Sequence, residues 1–151
     1  MKESLNTLNS YNMPIIRIAP VCNGKIYVTP HPLENGEGSC MDLPIVENVE
    51  HVSVKSDKAA RKVKEKYQLH IQTDASPRFC VQHKSATTGD AVVYLYVLPL
   101  KQEDEIRFNH GKFVSAEEID SGGNEYSHTL QNECMLLGMA AELWDDYYLH
   151  L

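Results

Sequence analysis

The residues of this chain best placed to do chemistry lie at 59–69, Ala-Ala-Arg-Lys-Val-Lys-Glu-Lys-Tyr-Gln-Leu, with Glu50 and Ser53 shortly before them. Ala59, Ala60, Val63 and Tyr67 recur at the i, i+3, i+4 spacing of an amphipathic helix, and Ser56 stands where it can cap a helix over about 57–67. Asp57 would then lie favourably near the positive end of the helix dipole. Lys62 and Lys66, four apart, share one face of that helix, while Glu65 pairs with Arg61 at the same spacing. Two ammonium groups on one face can grip an anion as point charges. They can equally be an ordinary solvated face. The carboxylates Glu50 and Glu65 are the candidate oxygen ligands if a hard divalent cation binds here.

The stretch resembles the signature of the Nudix hydrolase family (MutT-like), in which alanines precede R-E-U-x-E-E-x-G-U, U being a bulky aliphatic. Arg61, Val63, Glu65 and Leu69 match it; Lys62 and Lys66 stand where the family has glutamates, and Gln68 where it has glycine. Upstream the family writes L-P-G-G and then V-E-x-G-E. This chain has Leu43, Pro44, Ile45 and Val46, one residue inserted near Asn48, then Val49, Glu50, His51, Val52 and Ser53. Ser53 keeps the glutamate-to-arginine spacing to Arg61 without the carboxylate. Residues 91–100 and 112–119 are similar to the family's central strand and its later strand and short helix, so the resemblance spans roughly 13–149.

The resemblance implies an α/β/α sandwich around a mixed sheet, and a helix whose glutamates bind magnesium or manganese to activate a water for attack on a diphosphate. Here the degenerate Nudix box removes those ligands. A lysine ammonium beside a dication is repulsive by about 4 kcal/mol per unit charge pair at 4 Å and an effective dielectric near 20. The vestigial positions Ser53, Arg61, Lys62, Glu65 and Lys66 therefore predict no metal cofactor, and a catalytically impaired protein whose Arg61, Lys62 and Lys66 hold a nucleotide-like or other anionic ligand. The alternative is a working hydrolase of a nucleoside-diphosphate-linked substrate, with metal on Glu50, Glu65 and a later carboxylate such as Glu105 or Glu118. The third reading is a structural or partner-binding homodimer using the apolar face of the last helix.

Length and charge bound these readings. The 151 residues, 42% of them hydrophobic, suit one domain over 13–151 behind a polar extension over 1–12. A formal charge of -7 argues against general nucleic-acid affinity. Residues 55–66 nevertheless carry six basic side chains against two acids. Cys22, Cys40, Cys80 and Cys134 form no C-x-x-C pair, and a reduced, cytoplasmic protein is expected. Cys80 and His83 could offer two zinc ligands, but no second pair stands at metal spacing, which favours core packing. No apolar run approaches the roughly 20 residues of a membrane helix.

The elements that must position these groups follow from pattern. Asn23-Gly24 predicts a type I′ hairpin within 13–29. Residues 29–42, with Pro30, Pro32, Gly36 and Gly38, read as a loop. Strands are expected at 49–54, 70–73, 78–83 and 91–100, the last nearly all apolar and ended by Pro99. Ser127 is expected to cap a final helix with Leu130, Leu137, Ala141, Trp144 and Tyr148 on its apolar face, widened by Leu136, Ala140, Leu143 and Tyr147.

Overall fold

The computed structural model describes residues 15–33, 36–44, 78–85, 91–103 and 111–149. The expected strands at 49–54 and 70–73 and the helix at 57–67 lie outside the described residues. Strands β1 (Ile15–Cys22) and β2 (Lys25–Pro32) meet at the expected turn, where Asn23 and Gly24 adopt φ of 52° and 73°. Two consecutive positive φ values are what a type I′ turn demands, and asparagine and glycine tolerate them best. The turn fixes the register Val21 opposite Ile26 and Cys22 opposite Lys25.

β3 (Ser39–Asp42), β4 (Arg78–Lys84), β5 (Val92–Pro99) and β6 (Lys112–Val114) complete the described sheet. Its order is β3-β2-β1-β5-β4, with β6 also paired to β2. β1 and β5 run parallel from Ile15 opposite Val93 to Val21 opposite Pro99, and the other pairs are antiparallel, so the sheet is mixed. β5 lies between β1 and β4, which explains its continuous apolar run, and Pro99 is its last residue.

Residues 29–42 are not the expected loop, because β2 continues to Pro32 and pairs with β3 from Thr29 opposite Asp42 to Pro32 opposite Ser39. Pro30 and Pro32 are two residues apart, so their missing N–H groups fall on one edge of the strand. The alternate residues Thr29 and His31 can still serve the ladder.

One face of the sheet is covered by α1 (Ala116–Ser121) and α2 (His128–Leu149). Ser115 Oγ accepts from the Glu118 N–H at 3.1 Å and the Ser115 N–H reaches Glu118 Oε1 at 3.4 Å, a capping box that starts α1. Ser127 Oγ accepts from the Leu130 N–H at 3.1 Å and starts α2 as expected. Ala19, Val21, Leu95 and Val97 of the sheet pack against Leu130, Cys134, Leu137 and Ala141 of α2. Gly138 lets the two helices touch, since a Cβ there would stand 2.7 Å from the Ala116 Cβ. The apolar face of α2 is narrower than expected: Leu136 is 37% and Leu143 67% exposed. Of the other expected face residues, the side chains of Trp144, Tyr147 and Tyr148 lie outside the described residues. Ile16, Ile18, Tyr96 and Leu98 are buried as well, so both sides of the central strands are covered. The helix expected on the second side lies outside the described residues.

Candidate functional site

The site starts from an arginine in an otherwise apolar strand. Alternation along β1 puts Arg17 on the same face as Ala19 and Val21, toward α2. A buried guanidinium must be paired, and Arg17 is held by two carboxylates. Its Nε donates to Glu133 Oε1 and Oε2 at 3.0 Å each, and its NH2 donates to Glu133 Oε1 at 2.8 Å and to Asp42 Oδ1 at 2.7 Å. NH1 is only loosely engaged, 3.4 Å from Asp42 Oδ2. Burial works against the Arg17 charge, but Asp42 and Glu133 more than offset it and push its pKa further above the ordinary value.

Glu133 comes from the second turn of α2 and is almost wholly buried. Its second oxygen lies 2.7 Å from His83 Nε2, while His83 Nδ1 lies 2.8 Å from the Lys84 carbonyl oxygen. Both ring nitrogens face acceptors, and only the doubly protonated imidazole donates to both. Asp42 also accepts from the Leu43 N–H at 2.7 Å, and His31 Nε2 lies 2.9 Å from the Leu43 carbonyl oxygen and 3.0 Å from Thr29 Oγ1. Burial lowers the His31 pKa below its usual value, so this ring is neutral at pH 7.

Above Arg17 and Asp42 opens a cavity of about 740 Å³. Ile15, Leu33 and Val93 give it apolar walls, and Ser85, Ser127, His128 and Thr129 supply polar groups. Its size is that of a small-molecule site. The Ser127 N–H donates to the Met41 carbonyl at 3.0 Å, which locks the start of α2 beside β3 and places the positive end of that helix at the cavity rim. Cys40 also lines the cavity, but burial and Asp42 raise its pKa, so it is a neutral thiol and a poor nucleophile. None of the four cysteines is in a disulfide.

Of the residues singled out from sequence, Glu50, Ser53, Arg61, Lys62, Glu65, Lys66 and Glu105 lie outside the described residues. Glu118 is exposed and occupied with capping α1. Cys80 packs partly buried against the core as expected, whereas His83 Nε2 lies 2.7 Å from Glu133 Oε2. Among the described residues no group of three or more histidine, cysteine, aspartate or glutamate side chains converges on a metal position. Sequence reasoning missed Arg17, Asp42, His83 and Glu133 as a unit. The available signals were Arg17 between Ile16 and Ile18, and Glu133 on the inward side of a helix beside Leu130, Cys134 and Leu137. No described helix is long and apolar enough to cross a membrane.

No known family profile matches the sequence, and no curated protein does. Solved structures do match. The solution structure of the E. coli ORF135 protein aligns over 89% of this chain and 93% of its own, with TM-score 0.57 and 14% identity. An ADP compounds hydrolase aligns over 87% and 74%, with TM-score 0.59 and 12% identity. The MutT protein from Methanosarcina mazei Go1 aligns over 85% and 96%, with TM-score 0.53 and 18% identity. Together with the mixed sheet and its helices, these likenesses establish that the chain has a Nudix-like fold.

Proposed function

We propose that this chain is a binding or regulatory module of Nudix-like fold that has lost diphosphate hydrolysis and holds a nucleotide-like or other anionic ligand. The observation that carries the reading is Lys62 and Lys66 standing where the resembled signature has glutamates, with Ser53 in place of a third. Without those carboxylates a hard divalent cation loses its oxygen ligands, and the same positions favour an anion directly. Arg61 would assist Lys62 and Lys66. The cavity beside Arg17 and Asp42, with the positive end of α2 at its rim, supplies room for the uncharged part of such a ligand.

A second reading is favoured by the likeness to an ADP compounds hydrolase. It is a working hydrolase of a nucleoside-diphosphate-linked compound, with magnesium or manganese held by Glu50, Glu65 and a downstream carboxylate. A thermal-shift series with nucleotides and sugar nucleotides, with and without magnesium or manganese, separates the two. Ligand at a hundred times its Kd adds about 2.7 kcal/mol, several degrees for a domain of this size. Stabilisation by nucleotide in the absence of metal supports the binding module. Stabilisation that requires the metal supports the hydrolase.

A further inference from the structure

The described surface carries five large exposed apolar side chains, and four of them are on α2: Met135, Leu136, Met139 and Leu143. Met135, Met139 and Leu143 follow at four-residue steps, so they form one stripe along the helix. They are 74%, 66% and 67% exposed. The stripe lies opposite the side of α2 that packs on the sheet through Leu130, Leu137 and Ala141, so it takes no part in that packing. An exposed stripe of this kind is the signature of a contact surface.

Among the described residues of α1 and α2, the charges around it have one sign. From Ala116 to Leu149 the chain has eight carboxylates and no lysine or arginine. α1, packed along α2 at the Ala116 and Gly138 contact, exposes Glu117, Glu118 and Asp120. Glu142 is exposed beside Leu143. Glu133, the carboxylate already neutralised by Arg17, faces inward and takes no part.

We infer that the outer face of α2, edged by α1, docks a basic amphipathic helix of a partner protein. The partner's apolar stripe would lie on Met135, Met139 and Leu143, and its lysines or arginines would face Glu117, Asp120 and Glu142. Two adjacent helices with small residues at their contact offer a ridged surface into which a third helix packs. Methionines adapt their shape to such a stripe at little cost. Charge complementarity fixes the class of partner: the same face of a second copy would bring carboxylates against carboxylates, and an anionic lipid surface would be repelled. The site is separate from the cavity at Arg17, so the inference stands apart from the ligand-binding reading.

The test is fluorescence anisotropy of a labelled helical peptide of about 18 residues, leucine along one stripe and lysine elsewhere, titrated with the full chain. Saturable binding is expected. It should weaken at least about tenfold in the variant Met139→Asp with Leu143→Asp. It should weaken with added salt and in Glu117→Gln with Asp120→Asn, and be unaffected by His128→Trp at the cavity. Circular dichroism and Tm verify that each variant folds. No saturable binding, or binding unchanged by Met139→Asp with Leu143→Asp, overturns the inference, as does equal binding of a peptide with glutamate in place of lysine. A dimer seen by light scattering and broken by Met139→Asp with Leu143→Asp also overturns it and assigns the face to a second copy.

Discussion

Arg17 and Glu133, 116 positions apart in sequence, meet through three hydrogen bonds of 2.8 to 3.0 Å where β1 passes beneath the second turn of α2. Together with Asp42 this pair ties the final helix to the sheet, and Arg17 and Asp42 also line the cavity.

Removing one partner leaves a largely buried charge half-paired. Glu133→Ala should cost up to about 3–5 kcal/mol, and Arg17→Met a similar amount, because Arg17 then keeps only Asp42 and Glu133 keeps only His83. Combining both, Arg17→Met with Glu133→Ala, should cost clearly less than the sum of the single changes. Urea denaturation of the four proteins measures the coupling, and additive losses would show that the pair contributes little.

The pair also shows what the sequence made legible. The hairpin at Asn23-Gly24, the interior strand ended by Pro99, and the helix capped by Ser127 are local, written in turn chemistry, hydrophobic run and capping residue, and the structure has each of them. The pairing of β2 with β3 was hidden because Pro30 and Pro32 signal a loop unless their spacing keeps both on one edge. The network was hidden for a different reason. Arg17, Asp42, His83 and Glu133 come from four separate elements, and no local spacing connects residues that only the sheet order brings together. A charged residue inside each apolar pattern was the one available clue.

His31 gives a pH dependence. Its folded pKa is lowered, chiefly by burial, from the usual 6.5, so the unfolded chain takes up its proton first as the pH falls. The stability from this group is fully present above 6.5 and is lost progressively as the pH drops below that value. In His31→Gln the stability curve should be flatter just below pH 6.5, measured by urea denaturation at successive pH values. An unchanged slope would remove His31 as its source.

Gly138 should resist enlargement. A Cβ there stands 2.7 Å from the Ala116 Cβ, so Gly138→Val forces α1 and α2 apart at a cost of about 1–3 kcal/mol. Adding Ala116→Gly should recover part of the loss by reopening the space. Thermal denaturation reads both, and a neutral Gly138→Val would mean that the helices adjust freely.

The cavity can be closed from its rim. His128 is exposed at the first turn of α2, and His128→Trp should fill part of the 740 Å³ space without disturbing the buried network. Nucleotide-induced stabilisation should fall at least about tenfold in apparent affinity while Tm without ligand stays within about 2 °C of the parent. Undiminished nucleotide binding would place the ligand elsewhere.

The most direct measurement is calorimetric titration of the purified chain with a nucleoside-diphosphate-linked sugar such as ADP-glucose, first in EDTA and then in magnesium, followed by phosphorus NMR of the mixture. Loss of hydrolysis with retained anion binding predicts saturable heat in EDTA, weakening in Lys62→Glu with Lys66→Glu, and an unaltered diphosphate in magnesium. Binding that appears only with magnesium, together with cleavage of the diphosphate, would contradict the account and make the chain a hydrolase with ligands other than the usual glutamates.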